Sequence, residues 1–314
     1  MPTPEKIDLD VMLAKRYESE RHDWTNSAWF WSEKLDGVRA IYKKGSGLRT
    51  RGGHKIRIPR EWRLQLRAMS SRVGGMLDGE LWIGRGNANF NKVSGIARQH
   101  RATAEDWLEV KYLIFDAPLQ GGTFEARLDS LHEAKQFAME NMHSIDMVRD
   151  SLGWLSRTKI VEHLPVRGDD EVQALLQSVE AQGGEGIMLR EAASLWTGSR
   201  SSSLLKVKSF KDADAFVIGH QPGRGRHAGR MGALFCCKRG PDGQYDPNGP
   251  TFKVGTGFSD ADRENPPPVG SVISYKYFEE SSSGKPRFPA FDRWRPDLPC
   301  WNMRDTLLRV SDIS

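Results

Sequence analysis

Residues 32–40 read SEKLDGVRA and place Lys34, Asp36, Gly37 and Arg39 at the end of a strand and the start of a tight turn. The Asp-Gly pair marks the turn, because both residues accept the backbone angles a reversal needs. A lysine in that position can be an exposed strand end and nothing more. It becomes a nucleophile only if its amine sheds a proton, which requires desolvation or neighbouring positive charge. Cations that fold back onto this turn are therefore the feature to look for.

Residues 204–208, LLKVK, supply such cations. Lys206 and Lys208 stand two apart on a predicted strand, so both ammonium groups project from one face while Leu205 and Val207 enter the core. The arrangement suits phosphate binding, and it equally describes a half-exposed strand with its lysines in water. Two acids complete the set. Glu80, in LDGELWIG at residues 77–84, ends an apolar strand, and Glu185, in GGEGIMLR at residues 183–190, sits between glycines ahead of another. Carboxylates at converging strand ends can hold a hard divalent ion that bridges phosphate oxygens during an in-line transfer. Taken singly, each is an ordinary solvated glutamate.

Working outward, WFWSEK, VRAIYKK, MLDGELWIG and VKYLIFDAP read as strands, and residues 128–142 and 169–182 carry apolar residues at helical spacing. That predicts a mixed α/β domain. A glycine-rich basic stretch at residues 219–232, GHQPGRGRHAGRMG, leads into GALFCCKR, TFKVGTGF and SVISYKYFE, with turns between them and no periodic segment of helix length. The last hundred or so residues therefore read as a small β-barrel, with domains at residues 1–212 and 213–314.

The 314 residues suit two domains. No apolar run approaches the roughly 18 residues of a membrane-crossing helix. Cys236, Cys237 and Cys300 lack metal-ligand spacing and read as reduced core thiols. A net charge of +5 favours a polyanionic partner only weakly. The first twenty residues lack the apolar stretch of a secretory leader, so a cytoplasmic location is expected, or the periplasm if a leader has been removed.

The ordered set resembles the motifs of the covalent nucleotidyltransferase superfamily, shared by ATP-dependent ligases and capping enzymes. EKLDGVR is similar to the segment with the AMP-accepting lysine, and TRGG, LDGEL, YLIFDAP, GGEGIMLR and LLKVK follow in the family's order. GTGFSDADRENPPPVGS, YKYFE and KPRFPAFDRWR resemble the OB-fold domain and final motif of DNA ligases. MLAKRY, LDGELWIGRG and the run from GALF to GTGFSDADR look like the minimal two-domain ATP-dependent DNA ligases, closest to the short bacterial E type. The resemblance implies an α+β fold with an N-terminal adenylation (nucleotidyltransferase, ATP-grasp-like) domain of antiparallel sheets and helices, a C-terminal OB-fold β-barrel that moves about a hinge near residues 212–215, and sealing of nicks with 3′-hydroxyl and 5′-phosphate ends in DNA repair or replication.

By matching residues, the resemblance implies that Lys34 takes AMP from ATP, that Asp36 supports the geometry, and that Arg39, Arg51 and Arg200 grip phosphates of ATP or the nick. It implies adenine stacking on Phe115, α-phosphate contacts from Lys206 and Lys208, and a metal and ribose held by Glu80 and Glu185. In the OB domain, Arg287, Arg295 and Asp297 belong to the final motif, where Leu298 replaces the lysine many ligases carry. ATP and Mg²⁺ are the expected cofactors, with Mn²⁺ as an alternative. The expected partner is nicked double-stranded DNA, engaged by a monomer with no membrane attachment. Arg60, Arg63, Arg67 and Arg72 recur at spacings that share a helical face, either a phosphate-backbone surface or a solvated helix. Arg224, Arg226 and Arg230 form a second basic patch. Rival readings are an RNA ligase, a capping guanylyltransferase and a non-catalytic OB-type nucleic-acid-binding protein.

Overall fold

The first unit, residues 1–208, runs β1 (Leu13–Arg16), β2 (Trp29–Glu33), β3 (Val38–Lys43), β4 (Gly47–Thr50), α1 (Arg60–Arg72), β5 (Met76–Trp82), α2 (Asn87–Arg98), β6 (Lys111–Asp116), α3 (Phe124–Met142), β7 (Thr158–Ile160), β8 (Leu164–Val166), α4 (Asp169–Ala181), β9 (Ile187–Glu191) and β10 (Arg200–Val207). The coordinates are a computed structural model that describes residues 10–19, 22–142, 153–154, 156–240, 246, 249–278, 280–281 and 283–300. Residues 1–9 and 20, on which the leader reading partly rests, lie outside the described residues.

Patterning explains the elements. Alternation along β6 buries Tyr112, Ile114 and Asp116 and turns Lys111, Leu113 and Phe115 to the other face. In α4, Val172, Leu176 and Val179 form the buried stripe, while Asp169, Asp170 and Glu171 sit at the positive end of the helix dipole. Helix α1 buries Trp62, Leu66 and Met69 and leaves Arg60, Arg63, Arg67 and Arg72 exposed. Trp62 stacks on Trp154 at 5.4 Å and donates its indole N–H to Thr158 at 2.8 Å, which fixes the centre of the larger core.

Two sheets frame the unit. One is ordered β4-β3-β5-β6-β7 and the other β1-β10-β9-β2-β8. Both are antiparallel except for the parallel pairs β6–β7 and β1–β10.

The second unit, residues 209–314, contains β11 (Lys211–Pro222), β12 (Met231–Lys238), β13 (Thr251–Val254), α5 (Asp260–Glu264), β14 (Val272–Tyr277) and β15 (Ala290–Trp294). Its antiparallel sheet is ordered β13-β12-β11-β14-β15. A bridge between Thr256 and Ala290 joins the two edges, with Phe291 N–H donating to the Thr256 carbonyl at 2.8 Å. The sheet thereby closes into a barrel and leaves no open edge there. Ser259 and Asp262 cap α5 reciprocally. The architecture is the expected one, an α+β unit rich in antiparallel pairing followed by an OB-like barrel. Among the described residues, no helix is long and apolar enough to cross a membrane.

Three details differ from the sequence reading. Residues 212–215 are not a hinge, because from Lys211 onward β11 pairs residue for residue with β14 and Ala215 is fully buried. The division falls after Lys208, four residues earlier than expected. Glu80 lies inside β5, paired on both sides, and does not end it. Cys236 and Cys237 are buried as expected, whereas Cys300 is exposed, since it follows β15 and no strand carries it inward.

Candidate active site

Strand β2 delivers Lys34. The lysine's backbone N–H donates to the Gly186 carbonyl at 2.9 Å, which carries the β2–β9 ladder past the strand end and sets Lys34 beside Glu185. The Lys34 ammonium ion-pairs with one oxygen of Glu185, and the Lys208 ammonium takes the other. All three groups are largely shielded from solvent, with side chains 23%, 19% and 11% exposed for Lys34, Glu185 and Lys208. Two glycines permit the approach. A Cβ at Gly37 would lie 2.3 Å from the Leu81 carbonyl oxygen, and one at Gly186, whose φ is 142°, would lie 2.3 Å from that of Val207.

The turn feeds β3 alongside β5, so Arg39 stands opposite Glu80. The Arg39 guanidinium grips both oxygens of Asp78 at 3.0 and 2.6 Å and donates to the Met12 carbonyl at 2.8 Å. Burial raises the Asp78 pKa, and Arg39 opposes that rise. Arg39 is thus fixed by a buried acid, with its carbon 5.4 Å from the centre of the Phe115 ring.

A cavity of about 270 Å³ opens beside Lys34, and Arg39, Arg51, Glu80, Phe115 and Lys206 all line it. Glu185 and Lys208 join this group through the Lys34 ion pair. Asp36 lies close enough to the cavity to raise the Glu80 pKa. Arg200 stands apart from the cavity wall, exposed, with its guanidinium donating to the Ala14 carbonyl. Burial pushes Glu80 up to about 8 against the pull of Lys34 and Arg39. Burial, followed by the charges of Arg200, Lys34 and Arg16, lowers Lys206. The lining combines the apolar Phe115 and Met188 with the cations Lys34, Arg51 and Lys206, a mixture that suits a nucleotide.

Sequence reasoning missed several cavity residues. Asp116 accepts from Arg127 at 2.7 and 3.0 Å and from Arg190 at 3.0 Å, all buried. An acid on the inward face of an alternating strand demands a cation, so YLIFDAP carried a usable signal for this network. Met188 and Arg190 lie within GGEGIMLR without an assigned role. Arg85 grips Glu33 at 2.7 and 2.8 Å and donates to the Gln182 carbonyl at 3.3 Å, tying the residue before Lys34 to the turn before Glu185. No spacing pattern announces that clip.

In the barrel unit, Arg295 donates to Asp297 at 2.9 and 2.7 Å and faces Asp214 at 3.5 Å. The hydrogen bond from Arg295 lowers the Asp297 pKa. Arg287 is half-buried, its guanidinium 5.7 Å from the Phe288 ring centre. Of the second basic patch, Arg224 and Arg226 are exposed, while Arg230 pairs with Asp260 and Glu264, both at 3.4 Å.

Among the described residues, no group of three or more His, Cys, Asp or Glu side chains could hold a metal by itself.

The model of the ATP dependent DNA ligase domain matches residues 11–208, and that of the DNA ligase OB-like domain matches residues 222–295. The DNA ligase of Haemophilus influenzae is 33% identical over 286 residues, 91% of each chain. A solved structure from work on "DNA binding with a minimal scaffold: Structure-function analysis of Lig E DNA ligases" superposes with a TM-score of 0.72 at 32% identity, over 92% of this chain and all of that one. The ATP-dependent DNA ligase of bacteriophage T7, solved with ATP, shares the fold at a TM-score of 0.50 and 16% identity, over 91% and 98% of the two chains. With both domain matches and these relatives in agreement, the chain belongs to the ATP-dependent DNA ligase family, whose activity is the sealing of nicks.

Proposed function

We propose that the cavity beside Lys34 binds ATP and that Lys34 carries the adenylate from ATP to the 5′-phosphate of a nick in duplex DNA. The observation that carries this reading is the Lys34 ammonium held by Glu185 at the edge of a cavity walled by Phe115, Arg39, Arg51, Glu80 and Lys206. Lys34, once deprotonated, attacks the α-phosphorus and expels pyrophosphate. The nick's 5′-phosphate then takes AMP from the lysine, and the adjacent 3′-hydroxyl displaces AMP. Each transfer builds charge on phosphate oxygens, which Arg39, Arg51, Lys206 and Lys208 stabilise.

Bonding to AMP removes the Lys34 charge and leaves Glu185 with Lys208 alone. Glu80 and Glu185 are then the residues that would hold Mg²⁺, or Mn²⁺, together with the ribose; bound there, the ion would neutralise phosphate charge. Asp36 supports the turn that aims Lys34, and Arg200 reaches the nick phosphate from outside the cavity. The barrel unit contributes Arg287, Arg295 and Asp297 to the first transfer, and residues 208–210, between β10 and β11, form the hinge. We assign adenylation to residues 1–208 and the OB-fold role to residues 209–314, in a monomer that acts in repair or replication.

The test is to incubate the protein with Mg²⁺ and α-labelled ATP or GTP and look for acid-stable labelled protein. Nicked DNA or nicked RNA is then added. Label from ATP and sealing of DNA are expected; label from GTP alone, or sealing of RNA alone, overturns the reading.

Arg60, Arg63 and Arg67 on the exposed face of α1 are assigned to the DNA backbone. Arg72 is set aside, since its guanidinium lies 4.2 Å from the Phe137 ring centre. Each lost phosphate contact lowers the slope of log affinity against log salt by about 0.9. Changing all three arginines to glutamine should therefore reduce the slope for nicked duplex by roughly 2 to 3 between 50 and 200 mM salt. An unaltered slope places the DNA elsewhere.

A further inference from the structure

His163 lines the same cavity as Lys34, in the link between β7 and β8. The β2–β8 register ends at Trp31 opposite Leu164, so one step further along each strand brings His163 beside Ser32, two residues from the nucleophile. Ser32 also lines the cavity.

The ring is held on two sides. Its Nδ1 lies 2.9 Å from the Val161 carbonyl oxygen, which can only accept, so Nδ1 carries the proton and Nε2 a lone pair. The ring meets Phe124 in a T-shaped contact, with centroids 5.0 Å apart and planes at 72°. Phe124 in turn carries the Arg190 guanidinium 4.7 Å from its ring centre. Among the described residues, no hydrogen bond engages Nε2. Burial, with the nearby Arg190 and His132 charges outweighing that of Asp116, holds the imidazole pKa at about 4, so the ring is neutral in ordinary buffers.

We propose that Nε2 of His163 reads position 6 of the purine, accepting a hydrogen bond from the exocyclic amine of adenine and meeting the guanine carbonyl with an unsatisfied lone pair. The inference rests on the assignment of this cavity as the nucleotide site. Swapping the imidazole tautomer offers no escape for guanine, because a bare Nδ1 would then face the Val161 carbonyl. A polar atom built to pair with one substrate group discriminates strongly against a substrate that lacks it, since the atom is left buried and unmet. Phe115 and Met188 in the cavity wall offer apolar contact to any purine alike; by this account His163 distinguishes among purines.

The experiment measures kcat/KM for labelling of the protein by ATP and by purine riboside triphosphate, which carries hydrogen at position 6, with GTP as a third probe. In the unaltered protein ATP should exceed the purine analogue by on the order of 10-fold or more. His163→Phe keeps an aromatic ring against Phe124 and removes Nε2. It should bring the ratio close to 1, with the ATP value falling and the analogue's value nearly unchanged. A merely structural role would lower both values together and keep the ratio, which overturns the proposal. If His163→Phe is labelled by neither nucleotide, the same ratio in His163→Leu decides in the same way. No label from any nucleotide in the unaltered protein is a separate result, and it removes the assignment of the cavity itself.

Discussion

Lys34→Arg and Lys34→Ala are each expected to lower formation of the protein–adenylate bond by at least about 10³-fold, the scale on which loss of a covalent nucleophile registers. The arginine variant separates charge from chemistry. A guanidinium preserves the cation facing Glu185 but does not deprotonate in a protein, so it cannot attack phosphorus. Folding should survive both changes, because Glu185 keeps Lys208 as its partner and Lys34 is only partly buried. The melting temperature should move by no more than roughly 4 °C, the equivalent of about 1 kcal/mol in a chain of this size. Sealing of a nick supplied already adenylated should fall far less than labelling, because that last transfer forms no bond to the lysine. Labelling that persists in Lys34→Arg would move the nucleophile to another residue, with Lys206 the first candidate because its pKa is also lowered.

The largest loss of stability is expected from Asp116→Leu. Asp116 is 3% exposed and is the shared acceptor of Arg127 and Arg190, themselves 0% and 5% exposed. Removing one member of a buried ionic group costs about 3 to 5 kcal/mol, because the remaining charge is left desolvated and unpaired. Here two guanidinium groups share that fate, although the Ser194 side chain and the carbonyls of Gly122 and Ser194 still accept from them. For a unit of this size the loss corresponds to a melting temperature lower by roughly 6 to 20 °C. Lys92→Ala is the contrasting control. Lys92 meets Glu109 at 2.7 Å with side chains 48% and 61% exposed, and exposed pairs contribute about 1 kcal/mol or less. Equal shifts in calorimetry for the two variants would show that the buried network does not organise the cavity floor. Nucleotide binding should weaken along with stability in Asp116→Leu, since Asp116 and Arg190 both line the cavity.

Much of this was legible in the chain itself. Short apolar β-rich runs marked β2, β3, β5 and β6, of which only β6 alternates in burial, and two of the helices showed their stripes, because those signals are properties of a dozen neighbouring residues. Lys34 and its turn stood out in a locally specified segment, whereas Arg39 and Phe115 were singled out only by the family resemblance. The closed barrel followed from the density of short strands and turns.

Partnership was not legible. Lys34 and Glu185 are 151 positions apart, and Asp116 and Arg190 are 74 apart. Nothing periodic encodes such a meeting. The hinge was misplaced because β11 begins earlier than its composition suggests, and only pairing with β14 shows it. His163 stands in no motif, and its place beside Ser32 follows only from the β2–β8 register. The sequence by itself determined the chemistry available, a lysine, carboxylates and cations on strand ends, and the two folds that carry them. The tertiary structure alone decided which charges neutralise one another and which ring faces the cavity, because desolvation and pairing are set by the close approach of strands distant along the chain.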